Sequence, residues 1–162
     1  MFDFFKKKEV DYGIYTPVQG QFIKMEDIPD PVFSEKMMGE GFAIKPKSSD
    51  VYSPVSGTVT MVFSSKHAIG IESTSGKNVI VHMGLETVNL EGRPFQIYVK
   101  EGQKISHETK LARVDLEMLA EEEKEDMIII AFPEITAGEL IFPENDDVEL
   151  GIKIVELTKE EK

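Results

Sequence analysis

Apolar residues along this chain fall into short runs, and each run ends at a group of turn-forming residues. The turn groups are rich in Pro, Gly, Asp and Ser, which favour tight turns through backbone preference and local side-chain hydrogen bonds. The most regular runs between them are Thr58–Phe63, Ala68–Glu72, Asn78–His82 and Met127–Phe132. Many short runs at this spacing predict an all-β fold, a mostly antiparallel sandwich or barrel.

The remaining pattern is that of one small domain with little helix. Only Leu116–Asp126 has helical character; it is acidic with few apolar positions, so we expect no more than one or two short helical turns. The chain has 162 residues, of which 41% are hydrophobic, enough for one core and short for two. We therefore expect a single domain over residues 11–162 after a flexible tail at residues 1–10.

A six-residue pattern occurs twice, as Tyr15–Gly20 and as Tyr52–Gly57. Each copy reads aromatic, hydroxyl, Pro, Val, polar, Gly. The repetition predicts two similar strand entries within one β structure, although Pro and Gly are common enough in turns for the match to arise by chance.

Charge and cysteine content exclude several classes of function. The chain has 18 basic and 30 acidic residues and a formal net charge of −12, so its surface repels phosphate backbones and no nucleic-acid partner is expected. A basic protein surface is the favoured kind of partner. Because the chain has no cysteine, disulfides, thiol catalysis and Cys-type zinc sites are excluded.

The first residues have an amphipathic character without the form of a signal peptide. Phenylalanines at positions 2, 4 and 5 precede lysines at positions 6–8, and no apolar core of a leader follows. Weak membrane contact through this tail is one interpretation, with the rings among lipid headgroups and the lysines on anionic lipid. A tail without a binding role is the other. No apolar run approaches the length of a membrane span.

Two of the three histidines, His67 and His82, flank a predicted hairpin. With a four-residue loop at Ser73–Gly76, pairing outwards places Glu72 opposite Lys77 and His67 opposite His82. Directly opposed residues share a face of the sheet, with Cβ atoms about 4.5–5.5 Å apart. A slip of one residue would place the two rings on opposite faces.

The same register predicts an apolar surround for the histidine pair. Its face carries Ile69, Ile71 and Ile80, and burial beside them disfavours the imidazolium form. Two close histidines also resist protonation together. Neutral imidazole has a lone pair, so it can act as a nucleophile or a metal ligand.

Three interpretations of the pair remain open on the residues alone. It is a structural pair at the edge of a core, a metal site completed by a carboxylate, or a phosphoryl-transfer site. Gly84 would allow a partner's reacting group to come close, and the hydroxyl of Ser65 could donate to a phosphate. His107 lies in a polar turn and is read as an exposed loop histidine without a role.

Several segments resemble the glucose-family enzyme IIA of the phosphoenolpyruvate-dependent sugar phosphotransferase system. These segments, in matching order and spacing, are Asp27–Pro46, Lys66–Ser73, Val79–Gly92, Val99–Gln103 and Val114–Leu116. The resemblance implies a cytoplasmic histidine phosphotransferase with a mostly antiparallel β fold. It further implies that His82 accepts a phosphoryl group from the phosphocarrier protein HPr and passes it to a cysteine of an enzyme IIB domain.

The resemblance also implies roles for the neighbouring residues. His67 would steady the phosphoryl group, and Ser65 stands where the family usually has Thr. Asp30 and Glu86 match acidic residues that meet an arginine of HPr, with Glu86 standing where Asp is usual. The apolar part of that contact face is expected from Val32, Phe33, Met37 and Met38. No metal is required for the transfer, while His67 and His82 could bind Zn²⁺ together with a carboxylate of another protein.

Two regions depart from the family pattern. The family usually has Gly-Glu-Gly-Phe where this chain has Gly92-Arg93-Pro94-Phe95. The chain after Leu119 matches poorly, which leaves the strands of the C-terminal region less certain on sequence grounds. The rival functions are a metal-dependent hydrolase and a purely regulatory binding protein. The first is weakened because the residues two positions from His82 are Ile80 and Gly84, neither of which is a metal ligand.

Overall fold

A computed structural model describes residues 10–136, 139–140, 142 and 147–158. The strands are β1 Gly13–Tyr15, β2 Gly20–Lys24, β3 Glu40–Pro46, β4 Asp50–Tyr52, β5 Gly57–Val62, β6 Ala68–Ser73, β7 Asn78–Met83, β8 Phe95–Ile97, β9 Lys104–Ile105, β10 Lys110–Val114, β11 Ile128–Phe132, β12 Asp147–Val148 and β13 Lys153–Glu156. The helices are α1 Pro31–Ser34 and α2 Leu116–Glu121, with 3-10 turns at Met25–Asp27 and Thr87–Leu90. The predicted tail, apart from Val10, lies outside the described residues.

The strands form an antiparallel β-sandwich, which confirms the predicted fold class. Eight strands lie in one sheet in the order β12-β2-β3-β11-β7-β6-β5-β9, three lie in the order β4-β10-β8, and β1 pairs with β13. The four predicted strands are β5, β6, β7 and β11, and the predicted helical stretch contains α2. The sequence analysis missed α1, because it is a single turn within a segment dominated by proline and aspartate. None of the helices in the described residues is long and apolar enough to cross a membrane.

The large sheet is buried on both faces in its middle, and two groups of apolar side chains account for this. The main core lies on one face and contains Ile69, Ile71, Val79 and Val81 from β6 and β7. A second, smaller core on the other face is formed by Met25, Ile28, Phe33, Ala43, Leu85, Met127, Ile129 and Ala131. Burial on both faces explains why β11 reads Ile-Ile-Ile-Ala-Phe without polar alternation, as expected for a central strand.

The repeated six-residue pattern is a real structural repeat. The two copies join each other by reciprocal hydrogen bonds: the Tyr15 amide donates to the Pro54 carbonyl, and the Tyr52 amide donates to the Pro17 carbonyl, both at 2.8 Å. Each copy leads into a strand of the large sheet, β2 and β5. The proline in each copy has no amide proton of its own and supplies the carbonyl that the other copy needs.

The hairpin of β6 and β7 differs from the predicted register by one residue. Ala68 pairs with His82 and Glu72 with Asn78, so Ser73 faces Lys77 and the loop has three residues, not four. Ile69 and Ile71 therefore point into the main core, away from His82, and the prediction that they share its face is wrong. Gly76, at φ +95°, provides the left-handed turn position either way.

Candidate phosphoryl-transfer site

His82 lies on the face of the large sheet that carries the second core. It is the fifth residue of β7, between Ala68 on β6 and Ile129 on β11. The even-numbered neighbour Ile80 shares this face and is half-buried. His82 itself is half-buried, because the sheet at this point is covered only in part.

The His67 ring contacts the His82 ring, although a slip of one residue in the hairpin register was expected to place the two rings on opposite faces of the sheet. The two ring centroids are 5.1 Å apart with the rings nearly perpendicular. His67 lies in a bend just before β6, after Lys66 at φ +59°, so the alternation of a regular strand does not govern its side chain. Its backbone carbonyl still accepts a hydrogen bond from the Met83 amide at 2.8 Å, which joins the bend to β7.

The imidazole of His82 is oriented by a backbone carbonyl. Its Nδ1 lies 2.8 Å from the carbonyl oxygen of Gly84, two residues further along. A carbonyl can only accept, so Nδ1 carries the proton of the neutral ring. Nε2 then holds the lone pair and is the nitrogen available to a reacting group.

Both rings are held in the neutral form. Burial, and to a smaller extent the neighbouring His67, lower the pKa of His82 to about 4, against smaller opposing effects of the Gly84 carbonyl and Asp30. Burial also lowers the pKa of His67. At neutral pH the pair therefore offers a nucleophilic nitrogen without needing a base to deprotonate it.

A cavity of about 370 Å³ opens over the two rings. It is lined by Asp30, Val32, Phe33, Met38, Phe63, His67, Ala68, Ile80, His82 and Glu86. Ring edges of Phe33 and Phe63 flank the histidines, at 5.2 Å from His82 and 5.4 Å from His67 between centroids. An imidazole pair with an apolar rim can therefore be closed off from water when another protein covers the cavity.

The segment over the cavity is shaped by a helix cap and by the second core. Asp30 caps α1, because its carboxylate accepts a hydrogen bond from the Val32 amide at 2.9 Å, and Pro31 occupies the first helical position. Phe33 is 5% exposed and anchors the turn in the second core. Val32, at 41% exposure, is left on the surface beside the cavity.

Two of the predicted site residues lie outside the cavity lining. Met37 is 69% exposed and stands at the rim segment next to Met38, which does line the cavity. Ser65 is half-buried in the turn two residues before His67. Sequence reasoning missed Phe63, which lines the cavity. The available signal was its position directly after β5 and four residues before His67.

Glu86 lines the cavity, and its backbone lies in the left-handed region at φ +57°, which non-glycine residues seldom adopt. Its carboxylate is 77% exposed and lies 3.9 Å from the Lys124 ammonium. Glu86 and Asp30 together place negative charge at the edge of the apolar cavity. An arginine of a docking protein would find both an apolar contact and a carboxylate partner there.

His107 is not the exposed loop histidine that the sequence suggested. Its side chain is 23% exposed and its ring stacks on Tyr15, with centroids 3.7 Å apart. Its Nδ1 lies 3.4 Å from a carboxylate oxygen of Asp11. The loop between β9 and β10 is thereby attached to Tyr15, the last residue of β1, and to Asp11, which precedes that strand.

The rest of the described surface has no comparable chemistry. Among the described residues, no three His, Cys, Asp or Glu side chains are grouped so as to hold a metal ion. A larger cavity of about 460 Å³ lies beside α2, with Arg93 and Arg113 in its lining, and contains no histidine. The pair of His67 and His82 is therefore the strongest candidate for a reactive centre.

Comparison with known proteins identifies the family. Residues 12–137 match the family described as phosphoenolpyruvate-dependent sugar phosphotransferase system, EIIA 1. The chain therefore belongs to this family, and it is a phosphocarrier in sugar uptake that transfers phosphoryl groups through a histidine. Members of the family exchange the phosphoryl group with other proteins of the system.

Individual relatives agree with this assignment. The glucose-specific EIIA component of a phosphotransferase system from Staphylococcus aureus (strain MSSA476) is 43% identical over 159 residues, covering 96% of each chain. A glucose-specific EIICBA component from Streptococcus pneumoniae is 42% identical over 77% of this chain and 17% of its own length. The solved glucose permease IIA from Mycoplasma capricolum superposes with a TM-score of 0.77 at 34% identity, covering 89% of this chain and 93% of that one.

Proposed function

We propose that Nε2 of His82 is the atom that carries the phosphoryl group. The observation that carries this proposal is the contact between Nδ1 of His82 and the Gly84 carbonyl, which leaves the lone pair on Nε2. The neutral ring, with its pKa lowered to about 4, keeps that lone pair free at the pH of a cell. The metal-dependent hydrolase gains no support from the family match.

The proposed reaction moves one phosphoryl group between histidine nitrogens and then to sulfur. Nε2 of His82 attacks the phosphorus of phospho-HPr in line; the new N–P bond forms as the N–P bond to the HPr histidine breaks. A cysteine thiolate of an enzyme IIB domain then attacks the same phosphorus, and His82 leaves as neutral imidazole. Neither step needs a base or a metal, so catalysis consists of positioning and charge stabilisation.

His67 is proposed to donate a hydrogen bond to the transferred group. Its ring centroid lies 5.1 Å from that of His82, close enough for a nitrogen to reach an oxygen of a phosphoryl group bound between them. Ser65 is the weaker candidate for a second donor, because it precedes His67 by two residues but lies outside the cavity lining.

The surface around the cavity is proposed to dock both HPr and the enzyme IIB domain. Val32, Phe33, Met37 and Met38 would form its apolar part, and Asp30 and Glu86 would meet an arginine of HPr. Methionine suits a surface that must fit two partners, since its side chain is flexible and polarisable. We also propose a cytoplasmic location, as the resemblance to the family implies.

Zinc binding is a separate proposal and concerns complexes with other proteins. His67 and His82 supply two of the four ligands that zinc usually takes, and Nδ1 of His67 is buried without a hydrogen-bond partner. Asp30 and Glu86 line the same cavity, but among the described residues no three such side chains are grouped so as to hold a metal ion, so the chain alone does not fit a zinc site. A carboxylate from a bound protein would be needed, and the test is zinc-dependent complex formation that His67→Gln abolishes.

The direct test of the proposed function is enzymatic labelling. The protein is incubated with phosphoenolpyruvate, enzyme I and HPr, and the acid-labile phosphate is mapped by mass spectrometry, with the nitrogen identified by ¹H–¹⁵N NMR. We expect one phosphate on Nε2 of His82. Phosphorylated HPr with no label on His82 would overturn the proposal. Since the relatives are glucose-specific, an enzyme IIB domain for glucose is the first acceptor to test.

A further inference from the structure

The backbone that follows His82 is fixed at all four of its polar groups. The Met83 amide donates to the His67 carbonyl at 2.8 Å, and the Gly84 amide donates to the Met127 carbonyl at 2.7 Å. The Gly84 carbonyl accepts from His82, and the Met83 carbonyl accepts from the hydroxyl of Thr87 at 2.7 Å. Three of the four bonds use the backbone of His67 and Met127 or the His82 ring itself, and Thr87 supplies the remaining one.

Thr87 is fully buried, and both branches of its side chain are in use. Its hydroxyl makes the bond to Met83, and its methyl group occupies the space where a side chain at Gly84 would stand, 2.6 Å from that Cβ position. The residue thus holds the peptide between Met83 and Gly84 from one side, while the carbonyl of Gly84 faces the His82 ring.

The segment Gly84–Glu86 has an unfavourable backbone conformation that contacts with its neighbours must stabilise. Gly84 has φ +75° and Glu86 has φ +57°, so two left-handed positions stand on either side of Leu85. Such conformations persist in a non-glycine residue only where the surrounding contacts determine them. A turn with two left-handed positions would relax if its tie to β7 were removed, and the Gly84 carbonyl would move with it.

We infer that Thr87 is a positioning residue for phosphoryl transfer: its buried hydroxyl holds the Met83–Gly84 peptide so that the Gly84 carbonyl fixes the tautomer and orientation of His82. The inference rests on the proposed function, in which Nε2 of His82 is the acceptor. Thr87 does not touch the reacting atoms; it acts through the backbone that orients them.

The test compares Thr87→Val with Thr87→Ser. The valine keeps the shape of the side chain and removes the hydroxyl, while the serine keeps the hydroxyl and removes the methyl group. We expect Thr87→Val to show a mixture of His82 tautomers in long-range ¹H–¹⁵N spectra, a further lowered His82 pKa, and a rate of phosphoryl acceptance reduced roughly 10-fold or more. Thr87→Ser should keep the wild-type tautomer and most of the rate.

A matched control removes a buried threonine hydroxyl elsewhere. Thr16 is 1% exposed, and its hydroxyl donates to the Glu149 carbonyl at 2.5 Å, remote in sequence from either histidine of the site. Thr16→Val should lower the melting temperature but leave the His82 tautomer, its titration and the transfer rate unchanged. A loss of transfer in both valine variants would assign the effect to general destabilisation and overturn the inference.

The outcomes separate this inference from the proposed function. If the wild-type protein is not labelled on His82, the proposed function fails whatever the variants do. If the wild type is labelled and Thr87→Val keeps its tautomer and rate, only the role of Thr87 is overturned. Should Thr87→Val fail to fold, Thr87→Ser decides alone: an altered tautomer in a protein that retains the hydroxyl would contradict the inference, and an unaltered one supports it.

Discussion

His82 and His107 are both partly buried imidazoles in contact with an aromatic ring, but their polar surroundings differ. His82 meets the ring edge of Phe33, the ring of His67 and a backbone carbonyl. His107 stacks face to face on Tyr15, and carboxylate oxygens lie 3.4 Å and 3.8 Å from its two nitrogens. The His82 ring thus has another imidazole and apolar groups closest to it, with Asp30 and Glu86 also in the lining of its cavity, whereas carboxylate oxygens lie beside both nitrogens of His107.

The difference shows which features of a histidine site support phosphoryl transfer. The negative charge of a carboxylate beside a ring nitrogen repels an incoming phosphoryl group. Around His82, an apolar cavity and a second imidazole favour the neutral ring, and a single carbonyl acceptor selects which nitrogen stays free. Only the arrangement around His82 also has an opening that a partner can cover, the cavity of about 370 Å³.

The largest expected effect is the loss of phosphoryl acceptance in His82→Gln. The matched change His107→Gln should leave acceptance intact, because that ring only attaches a loop to β1. Both variants are phosphorylated with enzyme I and HPr, and the bound phosphate is counted by intact-protein mass spectrometry. Stoichiometric labelling of His82→Gln, or its loss in His107→Gln, would contradict the division of roles drawn here.

The second-largest expected effect is on transfer of the phosphoryl group to enzyme IIB, and it distinguishes the role of His67 from that of His82. His67→Gln should still accept the phosphoryl group, since Nε2 of His82 remains. Transfer to an enzyme IIB domain should fall about 100-fold, because one donor that stabilises the transferring group is lost. Rapid-quench measurement of each half-reaction checks this. An equal fall in both half-reactions would mean that His67 acts on the ground state of His82 instead.

A smaller effect is expected from Gly84→Ala, with Gly102→Ala as the matched control. Both glycines have positive φ, +75° and +85°. A Cβ at Gly84 would stand 2.7 Å from the Glu125 carbonyl oxygen, whereas a Cβ at Gly102 would meet nothing within 4 Å. Denaturant unfolding should show a loss of about 3 kcal/mol for the first and about 1 kcal/mol for the second.

The two glycine variants should also differ in activity. Gly84→Ala should slow phosphoryl acceptance about 10-fold, since the carbonyl that orients His82 shifts with the backbone. Gly102→Ala should transfer at the wild-type rate. If both variants lose stability equally and neither loses activity, the Gly84 carbonyl is not held by the close packing described above.

The prediction that bears least on phosphoryl transfer is a pH dependence of stability, which the buried neutral ring of His82 should produce. Between its ordinary pKa of 6.5 and its folded pKa of about 4, His82 binds a proton in the unfolded chain but not in the folded one. Stability should therefore fall as the pH drops through this window, by up to roughly 3 kcal/mol. His82→Gln should flatten this part of the profile. An unchanged slope in His82→Gln would show that the ring is not buried as a neutral group.

The fold and the histidine pair were predictable from the sequence, and the details of their geometry were not. Alternating short runs predicted β5, β6, β7 and β11 because side-chain period and turn residues are local signals. The hairpin register was missed by one residue, since Ser73–Gly76 can form either a three- or a four-residue connection. The prediction also treated His67 as a paired strand residue, which it is not. The two rings still meet, because His67 reaches His82 from a bend outside the strand, where alternation does not apply.

The C-terminal region shows that a strand can keep its place in the fold where its sequence resembles the family pattern poorly. Beyond Leu119 the family resemblance faded, yet the match extends to residue 137 and β11 lies in the centre of the large sheet between β3 and β7. Its residues satisfy the sheet by being apolar and β-branched, which several sequences can do. A buried strand beside His82 therefore requires apolar residues rather than a particular sequence motif.

The sequence by itself determined the chemical groups and their local order: two histidines flanking a hairpin, Gly84 after the second, and an acidic chain without cysteine. These follow from composition and short-range pattern. Only the tertiary structure decided which nitrogen of His82 is free, that Thr87 holds the backbone behind it, and that His107 stacks on Tyr15. Each of those depends on contacts between segments distant along the chain or on distances of a few tenths of an ångström, which residue order alone does not specify.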